Sequence, residues 1–166
     1  MRTLPVARLA GLLAVASVAA GCSAVGGGGA SPSPRLQLRI VISSAPGRCT
    51  APSLTSDGPG SACDKAGTTT YELGESLGVL TPTSVTRDGQ EKQSLRAEFD
   101  KADASKFGEV TRKALEKQLA ILFDGKVLTA PVVKEPLTGG NMSLRFRSTA
   151  EAEKVAAEEL GAPATP

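Results

Sequence analysis

From Leu36 onward the chain places apolar residues at regular intervals. Leu36, Leu38, Ile40 and Ile42 alternate with Gln37, Arg39, Val41 and Ser43, the two-residue period of a strand with one buried face. Residues 45–70 break the rhythm with Gly, Pro, Ser and Asp and read as a long loop. Tyr71-Glu72-Leu73-Gly74 leads to Leu77-Gly78-Val79-Leu80, and the β-branched residues from Thr83 to Thr86 predict a strand after Pro82. Asp88-Gly89 marks a turn. Leu95, Ala97 and Phe99 then alternate with Arg96, Glu98 and Asp100, which predicts another half-buried strand.

The period changes after Asp100. Phe107, Val110, Ala114 and Leu115 recur at helical spacing, with Asp103 and Ser105 as candidate N-caps. Glu109, Arg112, Lys113, Glu116 and Lys117 make the solvated side of that helix. Leu119 to Phe123, Asp124-Gly125 and Val127-Leu128 follow. Asp-Gly between two apolar runs predicts a tight hairpin, because both turn residues must accept positive φ. Pro131 ends the second strand, and Pro136 and Gly139-Gly140 punctuate the segment beyond it. Met142, Leu144 and Phe146 alternate with Ser143, Arg145 and Arg147. Ser148 and Glu151 have the spacing of a capping box before a helix with Ala152, Val155, Ala156 and Leu160 on one side, closed by Gly161 and Pro163. Short turns between consecutive strands predict an α+β fold, a mostly antiparallel sheet with two amphipathic helices on one face.

Composition adds constraints. Aromatics make up 3% and tryptophan is absent, so the core must be aliphatic. Lys and Arg number 19 and Asp and Glu 17, but Arg2 and Arg8 lie in an N-terminal leader, leaving 17 of each sign. A neutral domain offers no electrostatic attraction for nucleic acid. The leader, residues 1–21, has a basic start, an apolar run from Leu9 to Ala20 and small residues before Cys22, the pattern of a secretory signal. Small residues directly before a cysteine resemble a bacterial lipobox, in which the cysteine is acylated and becomes the mature N-terminus; here Ala19 stands where a larger aliphatic is usual. The alternative is an ordinary cleaved signal. Residues 22–34 read as a Gly/Ser/Pro tether reaching about 20 Å, residues 35–162 as the folded domain and residues 163–166 as a tail.

Cys49 and Cys63 remain once Cys22 is assigned to lipid, and two cysteines allow one pairing. A disulfide there would stabilise the fold by roughly 3 kcal/mol. The alternative, a metal site, lacks histidine and a second cysteine pair, and the spacing is far from that of a redox Cys-x-x-Cys. The absence of histidine excludes Ser-His-Asp and Cys-His catalysis, and no Ser-x-x-Lys is present. Spacing alone leaves a carboxylate pair open, but Asp124 belongs to a turn and Glu98 and Asp100 to a solvated strand side. The expectation is a non-enzyme with no cofactor and no metal.

Phe107 to Thr111, Leu119 to Val133 (Leu-Ala-Ile-Leu-Phe-Asp-Gly-Lys-Val-Leu-Thr-Ala-Pro-Val-Val) and Glu135 to Gly140 (Glu-Pro-Leu-Thr-Gly-Gly) resemble the periplasmic P1 head subdomain of SecD, a membrane component of Sec-dependent protein export. The likeness runs from about Leu36 to Leu160 and is strongest from Glu109 to Gly140. Residues 45–70 are not part of the family pattern. No segment after Cys22 reaches the ~20 apolar residues of a membrane span, so the family's proton-driven energy coupling is not carried over.

The resemblance implies a head that engages translocating chains or moves during export. Together with the lipobox-like junction at Cys22, the expectation is a lipid-anchored lipoprotein on the outer face of the plasma membrane, bound to the bilayer through acylated Cys22, with exported polypeptides or Sec membrane components as the partners the resemblance implies. Val132, Val133 and Leu137 are the candidate protein-binding residues, on an apolar segment that Pro131 and Pro136 would leave unpaired at a sheet edge. The competing expectation is an envelope ligand-binding or sensor lipoprotein that reuses the fold.

Overall fold

The computed structural model describes residues 34–158 and 160–161. The leader, Cys22 and its acylation, the tether up to residue 33 and the 163–166 tail lie outside the described residues.

The elements in order are β1 (Leu36–Pro46), β2 (Gly60–Cys63), β3 (Thr69–Leu80), β4 (Ser84–Arg87), β5 (Ser94–Glu98), α1 (Lys101–Lys113), β6 (Leu119–Phe123), β7 (Lys126–Thr129), β8 (Asn141–Arg145) and α2 (Thr149–Glu158). The strand ladders are antiparallel and the class is α+β, as the pattern predicts. The strands divide between two sheets, ordered β2-β3-β1-β6-β7 and β4-β5-β8. A parallel bridge between Asp64 and Val127 brings the two ends of the larger sheet together, and the Lys65 amide donates to the Val127 carbonyl at 3.2 Å.

Residues 45–70 are more ordered than their composition predicts. β1 continues to Pro46, β2 lies inside the expected loop, and β3 begins at Thr69. β2 is too short to display a period of two. It forms because β3 supplies its ladder and because Cys63 is bonded to Cys49 in a disulfide with Cα atoms 5.6 Å apart.

The hairpin forms as expected. Asp124 and Gly125 take φ of 48° and 71°, the left-handed pair that a two-residue turn demands. Gly125 carries a second constraint: a Cβ there would sit 2.5 Å from the Leu54 nitrogen, whose amide donates to the Gly125 carbonyl at 3.0 Å. The disulfide-closed segment therefore lies directly on the hairpin turn. β6 is internal to its sheet, whereas β7 ends the ladder order.

Helix ends depart from the sequence reading in detail. Asp100, not Asp103 or Ser105, caps α1: its carboxylate accepts from the Asp103 amide at 2.8 Å. Asp103 falls in the first turn, where it accepts from the Thr81 amide and Lys106 Nζ, both at 2.7 Å. At α2, the Ser148 hydroxyl accepts from the Glu151 amide at 3.2 Å, but Glu151 reaches back to the amide of Arg147 rather than that of Ser148.

Both sides of the larger sheet are covered. Leu36, Leu38, Leu119, Ile121 and Leu128 join the buried residues of the smaller sheet and of both helices in one core. Ala62, Leu73, Ala120, Leu122 and Val127 form a second, smaller core with Leu54 packed on it. Two residues expected inside are out. Ile42 is 69% exposed because register shifts along β1 throw its alternation out of phase, and Leu115 is 41% exposed because it lies past the Ala114 C-cap.

Arg39, read as solvent-facing, is fully buried. Its guanidinium donates to the carbonyls of Gly58 at 2.7 Å and Gly74 at 2.8 Å, to that of Ser56, and from Nε to Gln37 Oε1 at 3.0 Å. Burial lowers its pKa while the Asp57 carboxylate acts the other way. An arginine side chain keeps its charge in a protein, so these carbonyls are what makes the burial tolerable.

Candidate functional site

Among the candidate binding residues, Val132 is 42% exposed, Leu137 is 38% exposed and Val133 is buried. The segment after β7 runs beside the residues that precede β6. The Leu119 amide donates to the Pro131 carbonyl at 2.9 Å, the Val133 amide to the Lys117 carbonyl at 2.9 Å, and the Glu116 amide to the Val133 carbonyl at 2.8 Å. The edge expected to be vacant at Val133 is thus occupied by the chain itself. The apolar pattern could not reveal this, because the partner is the irregular turn after α1.

Two further contacts hold this strap. The Leu137 amide donates to Thr111 Oγ1 at 3.0 Å, while the Thr111 hydroxyl is placed against the carbonyls of Phe107 at 2.9 Å and Gly108 at 3.2 Å. The strap lies against α1 at Gly108, where a Cβ would be in ordinary van der Waals contact with the Leu137 carbonyl oxygen at 3.5 Å. Thr111 was not singled out by sequence, though its place four residues after Phe107 puts it on the buried side of the helix.

Beneath the strap is a cavity of about 400 Å³. Phe107, Leu119 and Ile121 line it together with Val132, Val133 and Leu137 of the strap and Asn141, Met142 and Ser143 of β8. A second cavity of about 380 Å³ flanks the far end of β8, lined by Asp64, Tyr71, Val127, Arg145 and Arg147 among others. There Arg147 donates to Asp64 and, at 3.1 Å, to Thr68 Oγ1, tying the start of α2 to the end of the disulfide-closed segment. Burial pushes the Asp64 pKa up, but hydrogen bonds from the Thr68 amide and hydroxyl, from Arg147 and from the Thr69 amide outweigh it and hold the carboxyl below its ordinary range. This polar knot is structural, because each charged group already has its partner.

The disulfide joins the expected pair, Cys49 and Cys63, and lies far along the chain from the strap. Among the described residues no cluster of three or more acidic or cysteine side chains could hold a metal ion, and no helix is long and apolar enough to cross a membrane.

Comparison with known proteins identifies the family. The model of the SecDF P1 head subdomain matches residues 74–160, just over half of the 166-residue chain. The protein translocase subunit SecD of Acidaminococcus fermentans is 45% identical over 74 residues, covering 44% of this chain and 17% of that protein. SecDF of Thermus thermophilus is 45% identical over 53 residues, covering 32% of this chain and 7% of that protein. The chain thus spans less than a fifth of the length of these relatives. A solved structure of a membrane component SecDF that enhances protein export aligns with a TM-score of 0.51 at 28% identity, over 75% of this chain and 60% of that one. SecDF in its super-membrane-facing form aligns with a TM-score of 0.50 at 28% identity, over 74% of this chain and 18% of that one. The matched residues include α1, the β6–β7 hairpin, the strap and β8, and on this ground the chain belongs to the SecDF P1 head subdomain family.

Proposed function

We propose that this protein is a non-catalytic, lipid-anchored extracytoplasmic module that binds polypeptide and serves as an accessory to Sec-dependent export. The observation that carries the reading is the apolar cavity under the strap, with Val132 and Leu137 exposed at its rim and Phe107, Leu119 and Ile121 beneath. An apolar cleft with few charged groups suits unfolded chains, whose side chains are apolar and varied. Family membership supports export as the setting, since the relatives are translocase subunits. The Gly21-Cys22 junction and the tether support the anchor, and the absence of histidine supports a non-catalytic role. Partners are then exported polypeptides or Sec membrane components, with the bilayer held through Cys22.

The test is binding of the purified full chain to an unfolded exported protein and to Sec membrane components, side by side with small envelope ligands. Saturable binding of a polypeptide, weakened at least about tenfold by Leu137→Asp, is the expected result. Binding of a small ligand alone, with neither polypeptide class bound, overturns the reading in favour of a sensor.

A further inference from the structure

Among the described residues the β8 strand has one partner, β5, and its other edge is open. Backbone parity says which groups are on that edge. The Phe146 amide donates to the Gln93 carbonyl, and the Phe99 amide donates to the Gly140 carbonyl, both at 2.9 Å. These bonds sit at the two ends of the β5–β8 register, so Met142 and Leu144 also direct their backbone groups toward β5. Asn141, Ser143 and Arg145 therefore direct theirs away from it. Among the described residues those groups have no backbone partner. Asn141 and Ser143 line the cavity, which the strap residues Val132, Val133 and Leu137 also line. In the strap Val132 alternates with the bonded residues Pro131 and Val133, so its own amide and carbonyl point away from the ladder they make.

Resting on the polypeptide-binding reading above, we propose that a single extended strand enters the cleft and adds to the open edge of β8 through the main-chain groups of Asn141 and Ser143, continuing past Arg145, which lines the neighbouring cavity. The chemistry of the edge and of the cavity selects this occupant. A row of donors and acceptors on alternate residues is met by an extended backbone whatever its side chains, as a carrier of varied sequences requires. The cavity that Asn141 and Ser143 line also carries the apolar side chains of Phe107, Leu119 and Ile121, which suits a segment with apolar side chains on one side. Every second side chain of that segment would face these apolar residues, which favours stretches with alternate apolar residues.

The probe is a soluble, unfolded peptide in which valine and threonine alternate between lysine ends, added to the full chain and followed by amide hydrogen exchange. Exchange at Asn141, Ser143 and Arg145 should slow on binding by about tenfold or more, while the Met142 and Leu144 amides, already bonded to β5, should change little. A second peptide, N-methylated on alternate residues, keeps its side chains but loses half its donors; it should bind at least about tenfold more weakly in one of the two methylation phases. Equal binding in both phases, with the three amides unprotected, overturns strand addition and leaves polypeptide binding by side chains intact. Slowed exchange that follows protein concentration without peptide assigns the edge to a second copy and overturns the proposal. No binding of any peptide overturns this inference together with the polypeptide-binding reading.

Discussion

Arg39 Nη1 donates to the carbonyl of Gly58 at 2.7 Å, which places a fully buried cation from β1 against the segment closed by the disulfide. The same guanidinium also binds the carbonyls of Ser56 and of Gly74 in β3, so one side chain ties the irregular 56–58 backbone to the sheet. Arg39→Met fills the volume but leaves these carbonyls without a donor. At roughly 1–3 kcal/mol for a buried unsatisfied group, the variant should lose about 3 kcal/mol or more. Urea unfolding of the purified full chain measures it; a loss below about 1 kcal/mol would show that water replaces the guanidinium.

Acid should loosen the contact between Asp64 and Arg147. The folded-state pKa of Asp64 is depressed, so its contribution is complete above the ordinary aspartate value of about 4 and is lost as pH falls through that value and past the lower folded one. Stability should decline from about pH 5 downward, and Asp64→Asn should show a shallower decline over the same window. Denaturant midpoints taken from pH 7 to pH 2 read this directly. Identical slopes in both proteins would assign the acid sensitivity to other carboxylates.

Val127→Asp places a carboxylate in the second core, among Ala62, Leu73, Ala120 and Leu122. An uncompensated buried charge costs about 3–5 kcal/mol, enough to unfold a domain of ordinary stability. Thermal melting of the variant should begin well below that of the parent chain. An unchanged melting temperature would contradict the burial of this side chain.

Cys22→Ser tests the anchor. The acylated protein should fractionate with membranes, and the serine variant should lose its lipid and either leave that fraction or accumulate unprocessed. A mature chain that starts elsewhere, with Cys22 unmodified, would refute lipidation. The fold is not implicated, since the described domain begins twelve residues beyond Cys22 at Pro34.

Local rules made much of the molecule legible in the sequence. Asp124-Gly125 announced its turn because few residue pairs accept positive φ twice, and the structure places it as read. Leu95, Ala97, Met142 and Leu144 are buried because a period of two on a half-covered strand has one outcome. Phe107, Val110 and Ala114 are inside for the corresponding helical reason. The fold class followed from the order of these elements.

What the sequence by itself determined was thus the local geometry: turns, strand sides and helix stripes apart from Arg39, Ile42 and Leu115, and the single pairing open to Cys49 and Cys63. The tertiary structure decided what each strand lies against. β2 exists because β3 pairs with it, Arg39 is inside because the 49–60 segment folds over it, and Val133 is closed because Lys117 reaches its amide. The edge of β8 left open among the described residues is of the same kind: it depends on which strand stands beside β8, and periodicity carries no information about neighbours distant in the chain.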